Sequence, residues 1–329
     1  MKIKKEGQTM FWNYDLNKIV KEDHPLRKVN EIVSFGVIAE SFNELAKETG
    51  RPGYGVETGI RSLFLQFDYD LSDREMEERL RYDIGFKWFC GFGIEDETPD
   101  HTYFCRIRKI LGTQRIAKIF SQITKKAEQK GIMRKVFTFV DSSAIKAKET
   151  TWEERDKAIA EGEEALNNKN VDKYSADKDA GFGCKGKDKF WFGYKKHTSV
   201  DMGSGLIKEI AITPANTTDQ EGFRHICPDS GMVFADKQYC CKKAQNIMKA
   251  NNCHSGAILK NNMLQKNKDK DRWLSRMRAS FEGVFSKLKN RARYRGLAKV
   301  QMQAFWEAIV FNVKRLLVLN APPLFATGA

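Results

Sequence analysis

The spacing of apolar residues changes character near residue 133. Before it the period is helical: Ile60, Leu63, Phe64 and Phe67 stand at i, i+3, i+4 and i+7, on one face of an α-helix. Ser72-Asp-Arg-Glu75 has the form of a capping box, and Met76, Leu80 and Ile84 supply the next apolar stripe. After a turn-rich stretch with Gly91 and Gly93, Thr98-Pro99 reads as an N-cap with proline in the first turn. It would open a helix through Phe104, Ile107 and Leu111. Residues 1–128 are therefore expected to form an all-α domain. Two of its helices either read DNA as a helix-turn-helix, with Arg106, Arg108 and Lys109 facing phosphate, or form a plain bundle; the bundle is the simpler reading as to base readout, and the domain is still expected to touch DNA and to serve dimerisation.

Beyond residue 133 the pattern becomes that of strands. Residues 136–140 are a compact apolar run, and residues 190–200 and 206–213 predict a hairpin around Asp201-Met-Gly-Ser-Gly205. Residues 233–235 and 257–259 are further short strand candidates, with helical segments between or after them. Strands that pair early and then alternate with helices predict a mixed-sheet α/β domain over 129–320, followed by a tail, 321–329. Its last helix carries Phe305, Ile309, Phe311 and Leu316. Residues 146–189 read as an insertion, partly mobile without a partner: an acidic helix at Trp152-Glu-Glu-Arg-Asp-Lys157, then polar, Gly-rich sequence. It either lies over an active site or is a solvated loop.

Charge changes this picture. The chain carries a net charge of +14, which favours polyanionic partners. Between Lys260 and Lys299, thirteen Lys or Arg face three acids, a local net of +10, and one of those acids is Glu282. Seven irregularly spaced cysteines do not form a disulfide framework, and Cys227, Cys240, Cys241, Cys253 and His254 lack the paired spacing of a zinc site. The N-terminus has no apolar leader, and the apolar stretch 304–319 is interrupted by Glu307, Lys314 and Arg315. The expected location is the cytoplasm, with no membrane partner.

Three acids stand in distinct settings: Asp141 after the first strand, Asp236 after Met232-Val-Phe-Ala235, and Glu282 within a helix. Taken singly, each aspartate reads equally as a turn or cap residue, and Glu282 as half of an intrahelical pair with Arg278. Together, two strand-end carboxylates and one helical carboxylate supply the hard oxygen ligands that hold two Mg²⁺ ions against a phosphodiester. Arg278 precedes Glu282 by four residues and Lys289 follows it by seven, so all three are expected on one helix face. Lys287, Lys289, Arg291, Arg293 and Arg295 continue the basic surface. Lys195 and Lys196 are further DNA-contact candidates, whereas His197 reads as a residue satisfied within the sheet.

An ordered set of segments resembles bacterial insertion-sequence transposases of the DDE type, in the fourth-and-fifth insertion-sequence grouping. These are His24-Pro-Leu-Arg27, Leu71-Ser-Asp-Arg-Glu-Met-Glu-Glu-Arg79, Phe86-Lys-Trp-Phe-Cys-Gly91, Thr98-Pro-Asp-His-Thr102, Phe139-Val-Asp-Ser142, Phe192-Gly-Tyr-Lys-Lys-His197, Thr213-Pro-Ala-Asn216 with Asp219, Phe234-Ala-Asp-Lys237, and Arg278-x₃-Glu282-x₆-Lys289. The resemblance implies a ribonuclease-H-like mixed sheet with flanking helices behind the helical N-terminal domain. It implies Asp141, Asp236 and Glu282 as catalytic, metal-binding residues, with Mg²⁺ as cofactor and Mn²⁺ as a substitute. It also implies double-stranded DNA, element ends and target, as partner, held by a homodimer. DNA contacts are expected from Arg278, Lys289, Lys287, Arg291, Arg293 and Lys195. Ser275 stands where the family usually has a tyrosine three residues before the arginine, and the segment after Asp236 reads Lys-Gln-Tyr-Cys-Cys241 where Gly-Tyr is common.

Overall fold

The computed structural model describes residues 15–45, 53–148, 152–167, 169–186, 189–260, 263 and 266–325. The described residues divide into two compact units, one within Met1–Ile110 with Phe325, the other Leu111–Leu324. The first unit is helical: α1 (Leu16–Ile19), α2 (Pro25–Ile32), α3 (Phe35–Glu40), α4 (Gly55–Asp68), α5 (Asp73–Tyr82), α6 (Ile84–Cys90) and the start of α7 (His101–Gln129). The capping box forms as expected, with Ser72 accepting from the Glu75 amide and Glu75 accepting from the Ser72 amide. Phe35, Phe64 and Phe89 meet with ring centroids 5.4 to 5.9 Å apart.

Two expectations for this unit are corrected. The helix after Thr98-Pro99 starts later, at His101, because Asp100 takes the capping role and accepts from the Tyr103 amide at 3.1 Å. Arg108 does not face phosphate: it is buried, bidentate to Asp73 at 2.8 and 2.5 Å, and bonded to Gln66. A guanidinium so engaged cannot turn outward without breaking its paired bonds to the half-buried Asp73 carboxylate. Arg106 and Lys109 are exposed. Gly112 (φ 60, ψ 173) interrupts α7 with a backbone conformation that glycine adopts cheaply.

The second unit is built on a curled mixed sheet: β1 (Phe137–Lys146), β2 (Gly181–Lys185), β3 (Lys189–Asp201), β4 (Ile207–Pro214), β5 (Gly231–Ala235) and β6 (Cys253–Ala257). β1, β3 and β4 are antiparallel neighbours, β5 and β6 extend the sheet parallel to β1, and β2 pairs with β3. This is the expected ribonuclease-H-like arrangement. The hairpin around 201–205 forms; Asp201 closes its turn by accepting from the Ser204 amide and hydroxyl at 2.8 and 2.6 Å. The last strand lies at Cys253–Ala257, where its backbone pairs with β5, earlier than the apolar run 257–259 predicted.

The sheet is covered on both faces, as the period-two alternation of its side chains requires. Phe139 and Phe234 pack with Leu274, Met277, Phe281 and Phe285 of α12 (Lys268–Lys287). Val140, Val233 and Ala235 point the other way, against Phe223 of α10 (Asp219–Phe223) and Ala244 and Met248 of α11 (Lys242–Ala250). α13 (Leu297–Val318) lies along β4, where Asn312 accepts from the Ile207 amide and donates to the Ile207 carbonyl, both at 2.8 Å. Gln301 serves Ile212 and Ile210 in the same way, so helix amides satisfy the strand's outer backbone groups. Among the described residues no helix is long and apolar enough to cross a membrane.

The segment 146–189 is largely built structure, not a simple solvated loop. It contains α8 (Trp152–Ala160), α9 (Val171–Tyr174) and β2, and Val171, Leu166 and Phe182 pack with Ala147 and Phe192.

Candidate active site

β1 and β5 run parallel in the register Phe137↔Met232, Thr138↔Val233, Phe139↔Phe234. Asp141 and Asp236 each lie two residues past the last of these pairs. Side chains alternate along a strand, so both carboxylates belong to the face of Phe139 and Phe234, the one α12 covers. Ninety-five positions of sequence separation are thus reduced to neighbouring places on two strands. Asp141 differs from its expected setting in one respect. β1 continues to Lys146 through pairing with β3, so the aspartate is within its strand, at the carboxyl end of β5 instead of its own.

Asp141 is half-buried, and its Oδ1 accepts from the Ser142 amide at 2.8 Å. Burial is the main force pushing its pKa up to about 6, and the charge of Asp236 adds to it. The Ser142 amide, Arg278 and Lys185 act in the opposite direction but do not cancel the shift. Asp236 caps the short turn after β5, accepting from the Gln238 amide at 2.8 Å. Each carboxylate therefore has one oxygen fixed by a backbone donor, which orients the pair. Like charges held at neighbouring places favour a proton or a cation between them.

Glu282 falls on α12; its side chain lies outside the described residues. The backbone around it is located by its neighbours: Phe281 and Phe285 reach the Phe139 ring at centroid distances of 6.4 and 5.2 Å. One turn earlier, the Arg278 guanidinium lies over the same ring, 5.4 Å from its centroid. This stretch of α12 therefore crosses the strand that carries Asp141. The expected shared face of Arg278, Glu282 and Lys289 does not extend to Lys289. The helix ends at Lys287, and Leu288 is already extended (φ −82, ψ 141).

The remaining basic candidates divide by setting. Lys287 and Arg291 are exposed, Lys289 and Arg293 half-buried. Residues 290–292 run beside the end of β1, with the Lys146 amide donating to Asn290 and the Ala292 amide to Lys146, both at 2.8 Å. Gln303 fastens this run by accepting from the Arg293 amide and donating to the Arg291 carbonyl. Lys195 is engaged internally with Asp219 at 3.1 Å and with the Thr217 carbonyl at 2.9 Å. Lys196 is fully buried and paired with Glu307 at 2.6 Å. His197 is also fully buried; its Nε2 meets Thr213 Oγ1 at 2.9 Å, and burial holds its pKa down at about 4, so the ring is neutral.

One side chain beside the carboxylates was not singled out in the sequence as a site residue. Tyr239 is buried against Phe223, and burial together with Asp219, Asp141 and Asp236 pushes its phenol far up. Its signal was the Asp236-x-x-Tyr239 spacing, read only as part of a divergent segment.

Comparison with known proteins gives two family matches. Residues 14–110 match the model described as Transposase domain (DUF772), and residues 133–313, more than half the chain, match that described as Transposase DDE domain. Among solved structures, the piggyBac transposase synaptic complex with hairpin DNA aligns at 8% identity and TM-score 0.38, covering 93% of this chain and 76% of that one. The Mos1 strand transfer complex aligns at 9% identity and TM-score 0.21, covering 82% and 79%. Overlaps this loose carry nothing further about this chain.

Proposed function

The chain belongs to the insertion-sequence DDE transposases, DNA transposases that cut nucleic acid, and we propose that Asp141, Asp236 and Glu282 are its catalytic carboxylates. In this reading it binds the terminal inverted repeats of its own element, cleaves the ends and joins the freed 3′-hydroxyls to target DNA. The observation that carries it is the strand register, which sets Asp141 and Asp236 side by side on the face that α12 crosses.

The family uses divalent metal ions, and the donors described at this site fit such a group. Both are hard carboxylate oxygens, each oriented by a backbone amide, and their mutual repulsion is relieved by a cation. We assign Mg²⁺, with Mn²⁺ as a substitute; when bound, such ions neutralise phosphodiester charge and ease deprotonation of the attacking hydroxyl. Asp141, Asp236 and Glu282 would hold them. Arg278, poised over Phe139, offers a planar fork to a phosphate, while Lys287, Lys289, Arg291 and Arg293 line the approach. Lys195, committed to Asp219, is left out of this phosphate set. No covalent enzyme intermediate is required. Two element ends must be handled together, which calls for a homodimer on DNA, acting where bacterial DNA resides, in the cytoplasm.

The test is a labelled duplex carrying the element end, incubated with Mg²⁺ and either wild type or Asp236→Asn. Nicking at the element boundary by wild type alone is expected. Equal binding with no cleavage by either protein would reduce the chain to a DNA-occupying protein. Cleavage without joining of pre-cut ends to a target plasmid would reduce it to a nuclease.

A further inference from the structure

The basic run that follows α12 is fixed along two edges, although it lies outside the six strands. Toward β1, the Asn290 carbonyl accepts from the Lys146 amide and the Ala292 amide donates to the Lys146 carbonyl, both at 2.8 Å. On the other edge stands Gln303 of α13. Its Oε1 accepts from the Arg293 amide at 2.8 Å, and its Nε2 donates to the Arg291 carbonyl at 3.0 Å. Backbone bonds that alternate between two edges are those of a β-strand, with a side-chain amide here in place of a neighbouring peptide. The far end of the run is tied as well. Asp177 Oδ1 accepts from the Gly296 amide at 3.1 Å, and Asp179 Oδ2 from the Leu297 amide at 2.8 Å.

Gln303 is fully buried, and an amide placed there destabilises the fold unless its groups are bonded. Both of its N–H groups are used, the second reaching Glu307 Oε1 at 2.7 Å, and Lys196 holds the other Glu307 oxygen at 2.6 Å. A carboxylate only accepts, so the Gln303 nitrogen is set on the Glu307 side and its oxygen turns to the Arg293 amide. Gln301, two positions earlier on α13, makes the same pair of bonds to the Ile212 amide and the Ile210 carbonyl. That glutamine serves β4, a strand already paired along its length with β3. Gln303 serves two arginines. Ala292 between them is buried, whereas Arg291 is exposed and Arg293 half-buried. Two positions apart on a strand-like backbone, the arginines share one face at a separation of about 7 Å. Lys146, the bridge partner of Arg291, stands five residues, about 17 Å, along β1 from Asp141. The pair is thus placed for phosphates that flank the cleaved bond, not for the bond itself.

We propose that Gln303 is a positioning residue: it fixes the backbone of Arg291 and Arg293 so that their guanidinium groups grip neighbouring phosphates of one DNA strand beside the cleavage site. The assignment rests on the DNA-cleavage reading given above. A planar guanidinium binds phosphate through paired, directional bonds, so its grip depends on where the backbone holds it. The buried chain from Lys196 through Glu307 to Gln303 supplies that hold from inside the fold.

The experiment measures binding of the labelled element end across a salt series in metal-free buffer, and cleavage kinetics with Mg²⁺. The chains compared are wild type, Gln303→Met, the pair Arg291→Gln with Arg293→Gln, the triple variant, and Gln301→Met as the matched control. The arginine pair is expected to lower the salt slope by about 1.8, two phosphate contacts, and to raise KM about tenfold with kcat within about twofold of wild type. Gln303→Met should lower the slope by about 0.9 and raise KM about fivefold, again sparing kcat. In the arginine-free background it should change neither slope nor KM, because no guanidinium is left to position. Gln301→Met should bind as wild type does. A folded Gln303→Met with wild-type slope and KM overturns the assignment. A further loss of binding in the arginine-free background overturns it too, by marking the glutamine as structural. If Gln303→Met does not fold, Gln303→Glu, which keeps the acceptor for the Arg293 amide, goes through the same cycle with the same two overturning outcomes. Absence of cleavage by the wild type would overturn the cleavage chemistry alone, since the slope, read without metal, still judges the grip.

Discussion

Two places on one sheet handle buried charge in opposite ways. On β3, Lys196 is fully buried but meets Glu307 at 2.6 Å and the Lys289 carbonyl at 2.9 Å, while Gln303 donates to the second Glu307 oxygen at 2.7 Å. At the end of β5, Asp141 is drawn out of water beside a second acid, and its pKa rises to about 6. The first arrangement is complete within the chain. In the second, Arg278 acts on Asp141 without cancelling the shift that burial and Asp236 impose, which is the condition under which a cation or a proton is taken up. Paired buried charge marks structure, and clustered like charge marks the site.

The largest effect that separates the two is on catalysis. Asp141→Asn should lower boundary cleavage by on the order of 10³-fold, since a metal-binding carboxylate carries several kcal/mol of transition-state stabilisation; gel assays of the labelled end read this directly. Glu307→Ala should do the reverse kind of damage. It leaves Lys196 buried and unpaired and should cost about 3–5 kcal/mol in urea unfolding, whereas Lys196→Met with Glu307→Leu should recover much of that loss. A double variant as unstable as the single one would break the comparison.

Histidine sharpens it through pH. The folded pKa of His197, about 4, lies below its ordinary value of 6.5. Between those values the unfolded chain binds the extra proton, so stability present above pH 6.5 is lost as pH falls toward 4. The full span is about 3 kcal/mol, and His197→Gln should flatten that part of the profile. Asp141 has the opposite sign. Its folded pKa is raised, so its contribution is full below pH 3.8 and is lost as pH rises through 6. In metal-free buffer at pH 7, Asp141→Asn should therefore be more stable than wild type by about 1–2 kcal/mol, less than the whole shift implies because the carboxyl is half-open to water. A variant that loses cleavage while gaining stability is the signature of a site residue; equal or lower stability would argue that Asp141 is structural.

What the sequence by itself determined is what lies within a turn or two of chain. The capping box at Ser72 and Glu75, the apolar run that became β1 and the hairpin closed by Asp201 were all legible, because each depends on neighbours a few positions away. The ordered motif set also identified the family and nominated the three acids now proposed as its carboxylates. The tertiary structure alone decided which distant groups meet. It set Asp141 beside Asp236, turned Arg108 inward onto Asp73 and ended α12 before Lys289. Local periodicity says which face of an element is apolar, but not which strand will lie beside it or in what register. Register sums pairings along whole strands, which no stretch of a few residues records.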